Sequence, residues 1–182
     1  MDNSWLVIID PQRIFADPAS DWGSPMWAGA AAVIGRLAPR FAGRTIVTRW
    51  VPPEPGHRVG SWVAYMDAWP FADRPATDPY FDVVAELADI PARRVDAPTF
   101  GKWDVLAPIV GEGADLVVVG VSTDCCVVST VLPAADAGAT ITVVTDGCAG
   151  STPENHASAL AVMGLYPPQV RLLDVEQLLH EK

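Results

Sequence analysis

Continuous apolar runs alternate with segments of helical spacing along the whole chain, and this alternation is the strongest constraint on its fold. The runs at 5–10 (WLVIID) and 115–120 (DLVVVG) have no polar alternation, which is typical of strands buried on both faces of a sheet. Further strands are predicted at 44–50, 93–97, 139–146 and 169–174. Helices are predicted at 28–41, 61–71, 78–90, 123–138 and 152–166, and the Pro- and Gly-rich stretch 51–60 is predicted as a loop.

Strands that alternate with helices predict a parallel sheet with right-handed crossovers and helices on both faces. In such open sheets the ligand site lies beyond the carboxyl ends of the strands. Asp10, the pair Cys125 and Cys126, and Asp146 follow three of the predicted strands. We interpret Asp146 as a structural residue that caps the turn after its strand.

Length and composition predict one domain, residues 1–182, with a sizeable core, because half of the residues are hydrophobic. The net charge of −10 argues against nucleic acid or an anionic membrane as a partner. No apolar run approaches the roughly 20 residues of a membrane helix, and MDNSWLVIIDPQ lacks the basic region of a signal peptide. Three cysteines without a C-x-x-C spacing favour a reducing, cytoplasmic setting.

The cysteine pair lies where a buried strand turns into a helix. The positive end of a helix dipole favours a thiolate, and free backbone N–H groups at such a bend can stabilise an oxyanion. The alternative is that both cysteines are small core residues. Asp10 is costly to bury without a partner or a function, and beside a thiol it could act as a general base. Taken alone, it could equally be a turn residue before Pro11.

Four segments together resemble the isochorismatase-like cysteine hydrolases, whose amidase members include nicotinamidases and carbamoylsarcosine amidase. These segments are VIIDPQRIF, PTFGKW, GVSTDCCVVSTVLPAADAG and ITVVTDGCAG, and the most specific is the G-V-x-T-D-x-C-V pattern of 120–127. The resemblance implies a three-layer α/β/α fold with a six-stranded parallel sheet in the order 3-2-1-4-5-6. It also implies a homo-oligomer, a dimer or tetramer.

The resemblance further implies an Asp–Lys–Cys triad, with Asp10 as the acid and Cys126 as the nucleophile. The backbone N–H groups of Ser122 and Cys126 are then the oxyanion hole, a cis peptide precedes Ser122, and Cys125 is a packing residue. Lys102 is the expected lysine because the chain's other lysine is Lys182, its last residue.

One alignment with the family instead puts the cationic position near Arg94, and an arginine there could not exchange protons. The metal-binding members of the family carry an Asp-x-His pair, whereas the corresponding region here has His57 alone. One imidazole does not make a transition-metal site, so we expect neither a metal nor another cofactor. His156 and His180 are interpreted as surface or helix residues.

The segment after the second predicted strand is rich in aromatic residues. In members of the family, the corresponding segment often borders the substrate pocket. We therefore predict that a compact apolar pocket involves Gln12, Phe15, Trp50 and Trp62. The expected activity is hydrolysis of a small amide or ureido-type C–N bond through a thioester. The alternatives are vinyl-ether hydrolysis of an isochorismate-type substrate, which does not require the cysteine, and a catalytically idle binding protein on the same scaffold.

Overall fold

A computed structural model describes residues 3–181 and contains a six-stranded, all-parallel sheet in the order β3-β2-β1-β4-β5-β6. The strands are β1 (Trp5–Ile9), β2 (Thr45–Trp50), β3 (Arg93–Ala97), β4 (Asp115–Val121), β5 (Thr140–Ala149) and β6 (Val170–Leu173). The predicted fold class and strand order are confirmed. Strands one and four, far apart in the chain, are neighbours at the centre of the sheet.

Helices cover both faces of this sheet. They are α1 (Arg13–Ala16), α2 (Trp27–Leu37), α3 (Ser61–Ala68), α4 (Trp103–Val110), α5 (Val128–Asp136), α6 (Pro153–Met163) and α7 (Val175–His180). Residues of α1, α2 and α7 share one buried cluster with Leu6 and Ile8, whereas residues of α4, α5 and α6 share a second cluster with Val7 and Ile9. The apolar run of β1 is continuous because its successive side chains supply two different cores.

Two predicted helices differ from the observed structure. The segment 78–90 forms two short 3-10 turns, Pro79–Phe81 and Ala85–Leu87, instead of one helix. Within 78–90 only Phe81, Val84 and Leu87 have buried apolar side chains, which is too narrow a stripe to hold a long helix against the sheet. The predicted helix 123–138 begins as a π-helical turn, Thr123–Val127, before α5.

The short helices α1 and α7 and the helix α4 were not predicted from the sequence. Asp174 and Gln177 form a capping box at the start of α7, a signal that was readable in the sequence. Within residues 3–181, no helix is both long and apolar enough to cross a bilayer.

Candidate active site

The carboxyl ends of β1 and β4 bring the two predicted reactive segments together. Ile9 is in register with Gly120, so β1 leads into Asp10 beside the point where β4 leads into Ser122. Gly120 has a φ of 123°, and a Cβ at this position would lie 2.2 Å from the carbonyl oxygen of Ile9. A glycine is therefore needed for the two strand ends to approach this closely.

Asp10 is completely buried and is held by β2 and by Lys102. The Thr48 hydroxyl donates to Asp10 Oδ1 at 2.6 Å and accepts the Asp10 N–H at 3.1 Å. Asp10 Oδ2 lies 2.8 Å from Lys102 Nζ and has no other donor among the described residues. This oxygen therefore keeps acceptor capacity for a further proton.

Lys102 is also completely buried, just before α4, and its ammonium group has three oxygen partners. Besides Asp10, Nζ contacts the carbonyl oxygens of Thr99 at 2.7 Å and Phe100 at 2.8 Å. Burial alone lowers the pKa of Lys102, but the negative charges of Asp10 and of an ionised Cys126 outweigh it and the pKa is raised. Lys102 is therefore a permanent cation at neutral pH.

A threonine links the lysine segment to the cysteine segment. The backbone N–H of Lys102 donates to Thr130 Oγ1 at 3.0 Å, and the Thr130 hydroxyl donates to the carbonyl oxygen of Cys126 at 2.7 Å. All three residues are buried. One hydroxyl thus fixes α4 relative to the turn that carries the cysteines.

Cys126 is 2% exposed and lies within the field of both Asp10 and Lys102. Hydrogen bonding with Cys125, burial and the Asp10 carboxylate raise its pKa, against the opposing effect of Lys102. The Cys126 thiol is therefore harder to ionise here than a free cysteine.

Cys125 was predicted to be a packing residue. In the structure it is half-buried and also lines a cavity beside Cys126. Hydrogen bonding with Cys126 lowers the pKa of Cys125, in opposition to burial. The third cysteine, Cys148, is buried on β5, where its thiol faces the carbonyl oxygen of Val118 at 3.9 Å.

Ser122 and the two adjacent cysteines line this cavity, and the peptide bond between Val121 and Ser122 is cis, as predicted. Asp124, in the same turn, accepts hydrogen bonds from the N–H and the hydroxyl of Ser151, at 2.7 and 2.6 Å. The segment after β5 thereby holds the cysteine-bearing turn in place.

The cavity has a volume of about 190 Å³ and a largely aromatic wall. Phe15, Trp22, Tyr65 and Phe100 contribute to its lining. Trp22 stacks on Phe15 at a centroid distance of 6.0 Å, and Tyr65 packs edge-on against Phe100 at 5.4 Å. Burial raises the pKa of Tyr65 to about 12, so its phenol stays neutral at physiological pH.

Of the four residues predicted for the pocket, the structure places Phe15 in the cavity lining. Trp50 is completely buried behind it, edge-on to Trp22 at 5.6 Å. The Gln12 amide is bound to the backbone N–H and carbonyl of Trp50. Trp62 packs against Tyr65 and Phe100 from outside the lining.

The remaining candidates lie elsewhere. Arg94 is exposed on β3 and donates to the carbonyl oxygen of Ala88, whereas Lys102 reaches Asp10. Lys182 lies outside the described residues. Asp146 was expected to cap a turn after its strand, but β5 continues to Ala149, so Asp146 lies within the strand. It accepts the N–H of Val175 at 2.9 Å and so supports the start of α7.

The histidines do not gather into a metal site. His57 is exposed, 3.7 Å from a carboxylate oxygen of Glu54, and His156 on α6 contacts Thr123 Oγ1 at 2.8 Å. Among residues 3–181, no group of three or more His, Cys, Asp or Glu side chains could hold a metal ion.

Three residues of the site, Thr48, Thr130 and Trp22, were not predicted from the sequence. Thr48 is a polar residue within a buried strand, and Thr130 follows Cys126 at the helical spacing of four, so both carried a weak signal. Trp22 lies in a turn-rich stretch, and only the folded chain shows that it contacts five aromatic neighbours, Phe15, Trp50, Tyr65, Trp69 and Phe71.

Comparison with known sequences identifies the family. Residues 4–177 match the profile of the Isochorismatase domain. The chain belongs to the isochorismatase domain family. Membership of this family supports an enzyme with hydrolase activity. No curated protein matches the chain.

Solved structures of similar fold are distant in sequence. An isochorismatase family protein from Desulfovibrio vulgaris has a TM-score of 0.79 at 21% identity, covering 97% of this chain and 96% of that one. A cysteine hydrolase from Pseudomonas syringae has a TM-score of 0.78 at 16% identity, and the match covers 97% of this chain and 90% of that one. A pyrazinamidase/nicotinamidase from Streptococcus mutans has a TM-score of 0.71 at 17% identity, and the match covers 92% of this chain and 99% of that one. At these identities the likeness concerns the isochorismatase-like fold.

Proposed function

We propose that this isochorismatase-family protein is a cysteine hydrolase that cleaves a small amide or ureido-type C–N bond through a thioester. The observation that carries the proposal is the buried Asp10–Lys102 pair, with Oδ2 and Nζ 2.8 Å apart, next to the buried thiol of Cys126. Two buried opposite charges beside a thiol and a cavity are expensive for a purely structural role.

The first step uses Asp10 as a general base. Its Oδ2 takes the Cys126 proton as the sulfur attacks the carbonyl carbon, which overcomes the raised pKa of the thiol. Lys102, whose ammonium group lies 2.8 Å from Asp10 Oδ2, stabilises the developing thiolate. The tetrahedral oxyanion is held by the backbone N–H groups of Ser122 and Cys126.

In the second half of the reaction Asp10 first acts as a proton donor. Asp10 gives its proton to the nitrogen, and ammonia or an amine leaves a thioester on Cys126. Asp10 then accepts a proton from a water molecule, whose oxygen attacks the carbonyl carbon of the thioester. The C–S bond breaks, the carboxylic acid leaves, and Asp10 returns its proton to the Cys126 sulfur. Each proton moves through one carboxylate, so no further titratable group is required.

Replacing the proposed nucleophile tests the function directly. Cys126→Ala should abolish ammonia release from a panel of small primary amides, whereas Cys125→Ala should retain measurable turnover. Quenched reactions analysed by peptide mass spectrometry should show the substrate's acyl group on Cys126. An acyl adduct on Cys125 with full activity in Cys126→Ala would overturn the assignment.

The same experiment separates the alternative functions. A catalytically idle protein forms no adduct with any amide, and a vinyl-ether hydrolase keeps its activity in Cys126→Ala. We propose that catalysis is metal-independent because the sequence lacks the Asp-x-His pair and the described donors do not cluster. Activity should therefore withstand EDTA.

The proposal includes a cytoplasmic homo-oligomer that acts on a small molecule. The free thiols of Cys125, Cys126 and Cys148 suit a reducing compartment. The homo-oligomer follows from the resemblance to the isochorismatase-like hydrolases.

A further inference from the structure

The cavity beside Cys126 combines aromatic walls with carboxylates and has no basic lining residue. Two of its eleven lining residues are charged, Asp21 and Asp124, and none is Lys, Arg or His. Within the described chain, the nearest cation of the site, Lys102, is completely buried and holds Asp10 and two carbonyl oxygens. A substrate in the cavity therefore meets negative charge.

The carboxylates of Asp21 and Asp124 differ in whether they are free to contact a ligand. Both oxygens of Asp124 accept hydrogen bonds from Ser151, which leaves Asp124 as a fixed charge in the wall. Asp21 is exposed at the cavity, next in sequence to Trp22, and forms no ion pair within residues 3–181. Asp21 is thus free to face a charged group on a ligand.

The aromatic rings, like the two carboxylates, favour a positively charged ligand. The face of an aromatic ring is electronegative and attracts cations, most strongly for tryptophan. Trp22 is nearly parallel to Phe15, with 6° between the ring planes, whereas Tyr65 and Phe100 meet at 70°. These rings pack against one another and form one aromatic wall of the cavity, and a small ammonium group can bind against such a wall.

We infer that the cavity selects small amides that carry an ammonium-type cation and rejects amides that carry a carboxylate. This inference rests on the proposed function and specifies its substrate class. The volume of about 190 Å³ is below the roughly 300–1,000 Å³ of pockets for drug-sized ligands, so the substrate is compact. The cationic group lies in the cavity against the wall formed by Trp22 and Tyr65, near Asp21, while the amide carbonyl faces Cys126.

Three amides of similar size and different charge test the preference. The panel is trimethylammonioacetamide, its neutral isostere 3,3-dimethylbutanamide, and the anion malonamate. The kcat/KM for the cation should exceed that for the neutral isostere by about tenfold, as expected for a cation against an aromatic wall beside a carboxylate. The anion should be the poorest of the three. A neutral or anionic amide as the best substrate would overturn the inference.

Asp21→Asn should narrow the ratio between the cationic and the neutral amide. Asp67→Asn is the matched control, because Asp67 is exposed on α3 and does not line the cavity, and it should leave this ratio unchanged. An equal effect of both substitutions would point to the overall charge of the protein, and would overturn the role of the cavity.

Binding without turnover separates this inference from the proposed function. Calorimetry with the Cys126→Ala protein should show tighter binding of trimethylammonioacetamide than of 3,3-dimethylbutanamide. If the cation binds but wild-type protein hydrolyses no amide, the hydrolase proposal fails and the charge preference stands. If amides are hydrolysed but the neutral isostere binds as well as the cation, the charge preference fails alone.

Discussion

Asp10 and Lys102 form a charge pair that is 0% exposed on both sides. Burying two charges costs several kcal/mol, and here their mutual attraction and additional hydrogen bonds offset that cost. Thr48 supplies one such bond to Asp10, and the carbonyl oxygens of Thr99 and Phe100 supply two to Lys102. At the residue scale, each charge is stable only because the other is present.

Lys102→Met should therefore destabilise the protein by about 3–5 kcal/mol, because it leaves the Asp10 carboxylate buried and unpaired. The free energy of unfolding from urea titration measures this loss. The double variant Asp10→Asn, Lys102→Met removes both charges and should recover part of the loss. A double variant as unstable as the sum of the two single variants would show that the pair is not coupled.

At the scale of elements, the site depends on how closely the carboxyl ends of β1 and β4 approach each other. Gly120 faces the backbone of Ile9 at this junction. Because these two residues are in register, Asp10 after β1 lies beside the cysteine-bearing turn after β4. The capping interactions of Asp124 with Ser151 then fix the turn against the end of β5. The elements thus fix the reactive side chains through backbone contacts.

Gly120→Ala should destabilise the protein far more than Gly138→Ala. Both glycines have positive φ, 123° and 92°, so an alanine at either costs about 1–2 kcal/mol in backbone conformation. A Cβ at 138 meets no atom within 4 Å, whereas at 120 it meets Ile9 backbone atoms. Urea titration of both variants measures the difference, and equal losses would show that the strand ends can separate freely.

At the scale of the whole molecule, stability at alkaline pH is limited by buried thiols. Burial raises the pKa of Cys148 from its ordinary 9.0 to about 12. Above pH 9 the unfolded chain releases this proton while the folded chain retains it. The free energy of unfolding therefore falls as the pH rises between these two values.

Cys148→Ala should remove this component of the pH dependence. The wild-type protein should lose up to about 1.4 kcal/mol more than the variant for each pH unit above 9. Urea titrations from pH 8 to pH 10, before Lys102 begins to lose its proton, measure the two slopes. Parallel slopes would mean that the Cys148 thiol is not protected in the folded protein.

The sequence was sufficient to predict all six strands, because a continuous apolar run such as that of β4 is compatible with few environments other than a doubly covered sheet. The sequence was insufficient for 78–90, where helical spacing was present but only Phe81, Val84 and Leu87 bury apolar side chains. Helix propensity is weak, and tertiary packing decides such segments.

The chain by itself determined which strands form, and the family resemblance identified Asp10 and Cys126 as the residues to follow, because apolar periodicity and short motifs are local properties. Tertiary structure alone decided that Lys102 rather than Arg94 meets Asp10, and that Trp22 and Cys125 line the cavity. These contacts join residues far apart in sequence, and their distances depend on how the layers pack, which no local pattern encodes.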